Sequence, residues 1–288
     1  MKKIYTFKHL FFLCFLFIFS GVLSAQGVSN VQYEYSCPCK VKVTYDLAKA
    51  GDVALSYSID NINWLPADTF YSKTAGTQLV DVWDCEADNK VYGLFYFKLE
   101  RVMSPCEQKG GEMINGVCWA TRNVDAPGTF AVNPEDAGMF YQWNRNIGWS
   151  NTDPLVNSNG GTTWDPSDPP GVEWQTANDP SPTGFRVPNR TEINALCNTT
   201  YVNYAWTTEN GVIGERFTDK SSGNSIFIPG AGFRGNNGDL TNPNADGRCW
   251  TTTQNGTTGA YVLIFSIANA AEASLVRHFA FSVRPVVE

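Results

Sequence analysis

The chain has 288 residues, of which 43% are hydrophobic, and a formal net charge of −7. That length carries two modest domains with their own cores. The acidic balance, with no basic run longer than Lys2-Lys3, excludes phosphate-backbone binding, so no nucleic-acid partner is expected.

Met1 to Ala25 reads as a secretory signal peptide. Lys2, Lys3 and Lys8 form its charged region, Leu10 to Phe19 its apolar region, and Ser24-Ala25 the small residues before the cut. The apolar run falls short of the roughly 20 residues a membrane span needs. No transmembrane segment is expected in the mature chain, and export to the periplasm, cell surface or exterior is. Of eight cysteines, Cys14 leaves with the leader, and among the remaining seven disulfides are expected, with at least one cysteine left free or paired outside the chain because seven is odd. Cys37 or Cys39 with Cys85 would tie the first domain. Cys118 and Cys249 both occur as Cys-Trp at strand-like positions and are expected to pair. Zinc spacing is absent.

Residues 26–103 alternate like a β-sandwich. Val31, Tyr33 and Tyr35 share one strand face, as do Val41, Val43 and Tyr45, and then Leu55, Tyr57 and Ile59. Residues 104–111, SPCEQKGG, read as a linker. Residues 112–288 form a loop-rich second domain with short strands, so the fold class is mainly β with an α+β C-terminal domain. The segment from Asn151 to Gly184 has no regular period and carries Trp164 and Trp174.

Asn178 to Leu196 opens on turn residues and continues as the short extended run Phe185-Arg186-Val187-Pro188. Asn189 then has the pattern of a helix N-cap, with Glu192 at N3 and Ile193 and Leu196 on one apolar face. The simplest reading is structural, a strand, turn and helix of a core.

GFRVPNRTEINAL resembles the signature of the Fibrobacter succinogenes major paralogous domain, a family with a C-type-lectin-like fold related to the formylglycine-generating enzymes. Gly116 to Val124, Gly138 to Asn144, Phe227 to Arg234, Cys249 to Thr253 and Phe281 to Pro285 resemble that family's other blocks, in order. The resemblance implies a C-type-lectin-like second domain and an exported protein. Residues 26–103 resemble the immunoglobulin-like or fibronectin-III-like module that often precedes it. The enzymatic relatives use a late pair of close cysteines. Here Cys249 stands alone, so the resemblance does not carry their oxidase chemistry.

No catalytic set is legible. His278 is the one histidine outside the leader, and it reads as a surface or satisfied residue. Glu135, Asp136, Asp153, Asp165, Asp168, Glu173 and Asp179 lie near loop tryptophans, where paired carboxylates could hydrolyse a polysaccharide, and the simpler reading is loop acids that cap turns. Gly235 to Gly247 offers Asp239, Asn244 and Asp246 to calcium but lacks a calcium-loop spacing and reads as a turn, so no metal or cofactor is expected. Trp149, Trp164 and Trp174 sit in loops, where an indole beside Asp153 or Asp165 would grip a glycan or a protein. The sequence therefore points to a non-catalytic adhesion-type protein that binds a glycan or a surface protein. A secreted polysaccharide hydrolase and a filament or matrix subunit are the alternatives.

Overall fold

The computed structural model describes residues 18–20, 27–36, 40–85 and 95–288, and the chain divides into two compact units, Met1–Met103 and Ser104–Glu288. The chain is mainly β, with antiparallel sheets throughout. No helix among the described residues is long and apolar enough to cross a membrane.

The first unit runs β1 (Ile18–Ser20), β2 (Val28–Ser36), β3 (Lys40–Leu47), β4 (Gly51–Ser58), β5 (Leu65–Lys73), β6 (Gly76–Asp84) and β7 (Tyr96–Arg101). One sheet has the order β1-β2-β3-β6 and the other β5-β4-β7. Period-two alternation aims Val41, Val43 and Tyr45 of β3, and Val53, Leu55 and Tyr57 of β4, into one core with Trp83. Ile59 departs from the expected face and is 74% exposed. β4 ends at Ser58, and the Asp60 carboxylate gathers the turn by accepting from the backbone N–H groups of Ile62 and Asn63, both at 2.8 Å. Cys85 is disulfide-bonded. Its expected partners, Cys37 and Cys39, lie outside the described residues, as does the expected leader apart from the backbone of β1.

Residues 104–111, read as a linker in the sequence, open the second unit. Ser104 caps a short helix, α1 (Pro105–Gln108), through a reciprocal capping box with Glu107. The hairpin of β8 (Gly111–Ile114) and β9 (Val117–Ala120) follows. It turns on Asn115 and Gly116, whose φ of 45° and 79° suit the twist of a two-residue loop. This geometry sets Cys106 beside Cys118, and they form the disulfide. The Cys118–Cys249 pairing expected from the sequence is therefore wrong. Cys249 is a fully buried free thiol opposite Leu263 in a strand of the core, and Cys197 is also free. A shared Cys-Trp pattern reported similar strand positions, not proximity.

The second unit continues with β10 (Phe140–Gln142), β11 (Gly148–Trp149), a long irregular loop, β12 (Phe185–Arg186) and α2 (Arg190–Leu196). Next come β13 (Val202–Glu209), β14 (Val212–Asp219), β15 (Ser225–Pro229), β16 (Phe233–Arg234) and β17 (Leu240–Thr241). The unit closes with β18 (Asp246–Asn255), β19 (Gly259–Ser266), β20 (Asn269–Val276), β21 (Ala280–Phe281) and β22 (Val286–Val287). The terminal strand β22 lies between β9 and β12, so the end of the chain is sewn to the start of the unit. Ile193 and Leu196 of α2 pack with Trp119, Phe217 and Phe265. The Arg186 guanidinium forks onto Glu192 at 2.6 and 2.9 Å, and Glu192 also accepts from the Asn189 N–H at 2.7 Å. Both residues are thereby spent on holding the strand to the helix cap.

One core group is anomalous. Glu215 of β14 is 1% exposed, stands in register between Trp206 and Ile228, and neither carboxyl oxygen has a partner. Burial pushes its carboxyl from 4.5 up to about 7. The folded group keeps its proton to about pH 7, whereas the unfolded one releases it near 4.5. Its contribution to stability is therefore whole below 4.5 and is lost as pH rises through that window.

Two outcomes check this description. Urea unfolding followed by tryptophan fluorescence will show stability declining from pH 5 to 8, and Glu215→Gln will flatten that slope and stabilise the protein at pH 8 by roughly 1–3 kcal/mol. Parallel pH profiles for the two proteins would refute it. A non-reducing peptide map will join Cys106 to Cys118, and Cys118→Ser will cost about 3 kcal/mol, as expected for a loop of that size. A Cys249-containing cross-link in the map would contradict the assignment.

Candidate functional site

An open groove of about 560 Å³ lies on the second unit. Its walls come from residues 125–138, residues 151–153, Pro229 to Ala231, Leu240 and the turn at Pro243-Asn244. All of these are loop or strand-end residues, so their backbone polar groups need partners that a sheet does not supply.

Arginine supplies them. Arg234 of β16 is wholly buried, and its guanidinium donates to five acceptors: Ser150 O at 3.0 Å, Ser150 Oγ at 3.2 Å, Thr152 O at 2.5 Å, Gly238 O at 3.1 Å and Asp153 Oδ1 at 2.6 Å. One side chain thus fixes the 150–153 wall and the β16–β17 turn together. On the opposite wall the Asn151 amide donates to Gly138 O at 2.6 Å. Gly138 has a φ of 64°, and a Cβ there would stand 2.1 Å from Val124 O, so no other residue fits. Asp136 accepts from the Asn133 N–H at 2.8 Å and closes its own turn. Glu135 accepts from the Asn210 amide at 2.9 Å, which pins the loop to the β13–β14 turn.

The groove is acidic and partly apolar. Asp125, Glu135, Asp136 and Asp153 line it, with Val132, Val212, Pro229 and Leu240, and no lysine, arginine or histidine does. Asp153 is 73% exposed while its partner Arg234 is at 0%. The pair therefore presents a carboxylate outward and keeps the cation beneath.

Of the residues expected to form a gripping surface, only Asp153 lines this groove. The indoles are packed inward instead. Trp149 is 4% and Trp174 8% exposed. Trp164 is half-buried against Trp149, with ring centroids 5.0 Å apart, among Leu155, Leu240 and Phe140. Trp174 stands edge-on to Trp143 at 5.7 Å and donates its indole N–H to Asn178 O at 3.1 Å. The long loop carries enough apolar surface to fold over a small core of its own, and burying an indole outweighs leaving it to a ligand.

Asp165 is likewise structural. It is paired with Arg145 at 2.6 Å, and hydrogen bonds from the Ser167 hydroxyl and N–H, helped by Arg145, hold its carboxyl down to about 2. His278 Nδ1 meets Asp168 Oδ1 at 2.8 Å, which ties the same loop to the end of β20. Among the described residues no three His, Cys, Asp or Glu side chains converge as a metal site. Asp246 is occupied by the Asn242 amide at 3.0 Å and by Arg248 at 3.2 Å.

Sequence reasoning named Glu135 and Asp136 among the loop acids but missed Asp125 and Arg234 and did not group them with the groove. The available signal was the pairing of turn acids with a charged residue in an apolar block, Phe227 to Arg234, where an arginine has no reason to be buried unless it holds irregular backbone.

Arg234→Ala will strand the carbonyls of Ser150, Thr152 and Gly238 and cost on the order of 3 kcal/mol or more, and Arg234→Lys will recover little, because an ammonium has three donors and no fork. Limited proteolysis should open the 150–153 wall first, and unchanged cleavage with unchanged melting would remove the staple from this account. No family model, curated protein or solved structure matches the chain.

Proposed function

We propose that this chain is an exported, non-catalytic binding protein of the cell surface or exterior, and that its partner seats in the loop-built groove of the second unit. The observation that carries this reading is the groove itself, an open concavity of about 560 Å³, within the range of ligand sites, with preset polar groups among apolar contacts. The leader-like segment Met1 to Ala25 supports export.

The state of the acids supports binding over hydrolysis. Asp165 is held near 2 and paired with Arg145, so it cannot lend a proton near neutrality. Glu215 does hold its proton to about 7, but it lies in the core away from solvent. Asp153 gives one oxygen to Arg234. A glycan gripped by stacked indoles loses its support, because Trp149 and Trp174 are buried.

Val132 lines the groove and is 80% exposed, so Val132→Arg should fill the groove at little cost to folding. Surface extracts and glycan arrays probed with the mature protein and with this variant provide the test. Retention of a partner by the wild type and its loss by a variant of unchanged melting temperature is the expected result. Partner binding indifferent to Val132→Arg, or sugar release from a polysaccharide panel, would overturn the reading.

A further inference from the structure

We infer that the groove takes a lysine or arginine side chain presented by a partner protein. This rests on the groove being the binding surface and names the chemistry of its occupant.

Charge complementarity comes first. Asp125, Glu135, Asp136 and Asp153 bring four carboxylates to one concavity whose lining has no cation. Three of them are held in place with an oxygen to spare. Glu135 uses Oε1 for Asn210, Asp136 uses Oδ2 for Asn133, and Asp153 uses Oδ1 for Arg234. Each leaves its second oxygen for a ligand, already oriented, which lowers the ordering cost of binding. The net charge of −7 adds a field that steers cations toward the molecule.

Shape and polarity narrow the ligand further. A metal ion or small ammonium would have no use for the apolar part of the wall, where Val132 and Leu240 stand. A lysine or arginine side chain uses both parts, with its methylenes against the apolar residues and its head among the carboxylates. A glycan finds no aromatic ring in the lining to stack on.

The test is titration of the mature protein with fluorescent eight-residue peptides bearing lysine or arginine, their norleucine and citrulline counterparts, and an acidic set, at low and high salt. The expected result is binding of the basic peptides alone, weakening with salt, and about tenfold weaker in the double variant Asp125→Asn, Glu135→Gln at unchanged melting temperature. Glu173→Gln, which removes an acid outside the groove, should change nothing. Equal binding of citrulline peptides, or equal weakening by Glu173→Gln, would overturn the inference. A neutral peptide or glycan whose binding is lost in Val132→Arg would overturn it while leaving the groove as the binding surface. A dimer broken by Val132→Arg in sedimentation would make a second copy the occupant and overturn it too. A full ligand screen in which nothing responds to Val132→Arg would remove the groove reading together with this one.

Discussion

The second unit depends on buried guanidinium groups that hydrogen-bond to backbone carbonyls. Its strands are short, and much of its chain has no neighbouring strand to satisfy it. Buried backbone groups left unpaired would each cost about 1–3 kcal/mol. Arg234 satisfies Ser150, Thr152 and Gly238. Arg284 is wholly buried and donates to Asn123 Oδ1, Ala120 O and Phe227 O at 2.8–3.2 Å. Arg277 donates to Gly171 O at 2.7 Å and lies 4.8 Å from the Trp143 ring centre. Burial lowers the Arg284 guanidinium to about 10, still charged at neutral pH. At Arg284 two backbone carbonyls and the Asn123 amide oxygen take the place of a hydrogen-bonded carboxylate. A planar fork with five donors does this in one side chain, which a lysine cannot.

What the sequence disclosed follows from which interactions are periodic. The first unit was legible because a two-sheet core imposes a period of two, and Val41, Val43 and Tyr45 display it. The cap at Asn189 was legible because a capping box is local, with donor and acceptor three positions apart. The disulfide was misread because Cys106 lay in a segment whose proline and glycines imitate a linker, while its helix is only four residues long. The loop tryptophans were misread for a related reason. A loop of polar composition is expected to be wet, yet Trp149, Trp164 and Leu155 form a cluster that no spacing announces. Near the C-terminal strands period-two alternation carries no wet face. Ala280, Phe281, Ser282, Val283 and Arg284 are all buried, because Arg284 makes the second face polar but satisfied.

The acids of the second unit divide by what surrounds them. Glu192, Asp165 and Asp168 each meet a basic partner and fix local geometry. Glu215 meets no partner at all, and its cost is borne by the fold as an ionisation it must suppress. Glu135, Asp136 and Asp153 of the groove are intermediate, with a structural bond on one oxygen and no hydrogen-bond partner among the described residues for the other. Only this last group combines fixed position with unused acceptor capacity, which is what a recognition surface requires.

On the proposed function, that division ties binding to folding through one residue. Arg234 is buried with the core, yet its bond to Asp153 reaches the groove surface. Asp153 owes its position to a cation that also holds Ser150, Thr152 and Gly238. A change that loosens the wall therefore moves a carboxylate of the site, and a ligand that engages Asp153 pulls on the same guanidinium. The cation beneath also reduces the field Asp153 projects, so the proposed recognition would draw more on Asp125, Glu135 and Asp136, whose structural partners among the described residues are neutral or absent. The wall carboxylate then serves mainly to set shape, and the three acids of the 125–136 loop set charge.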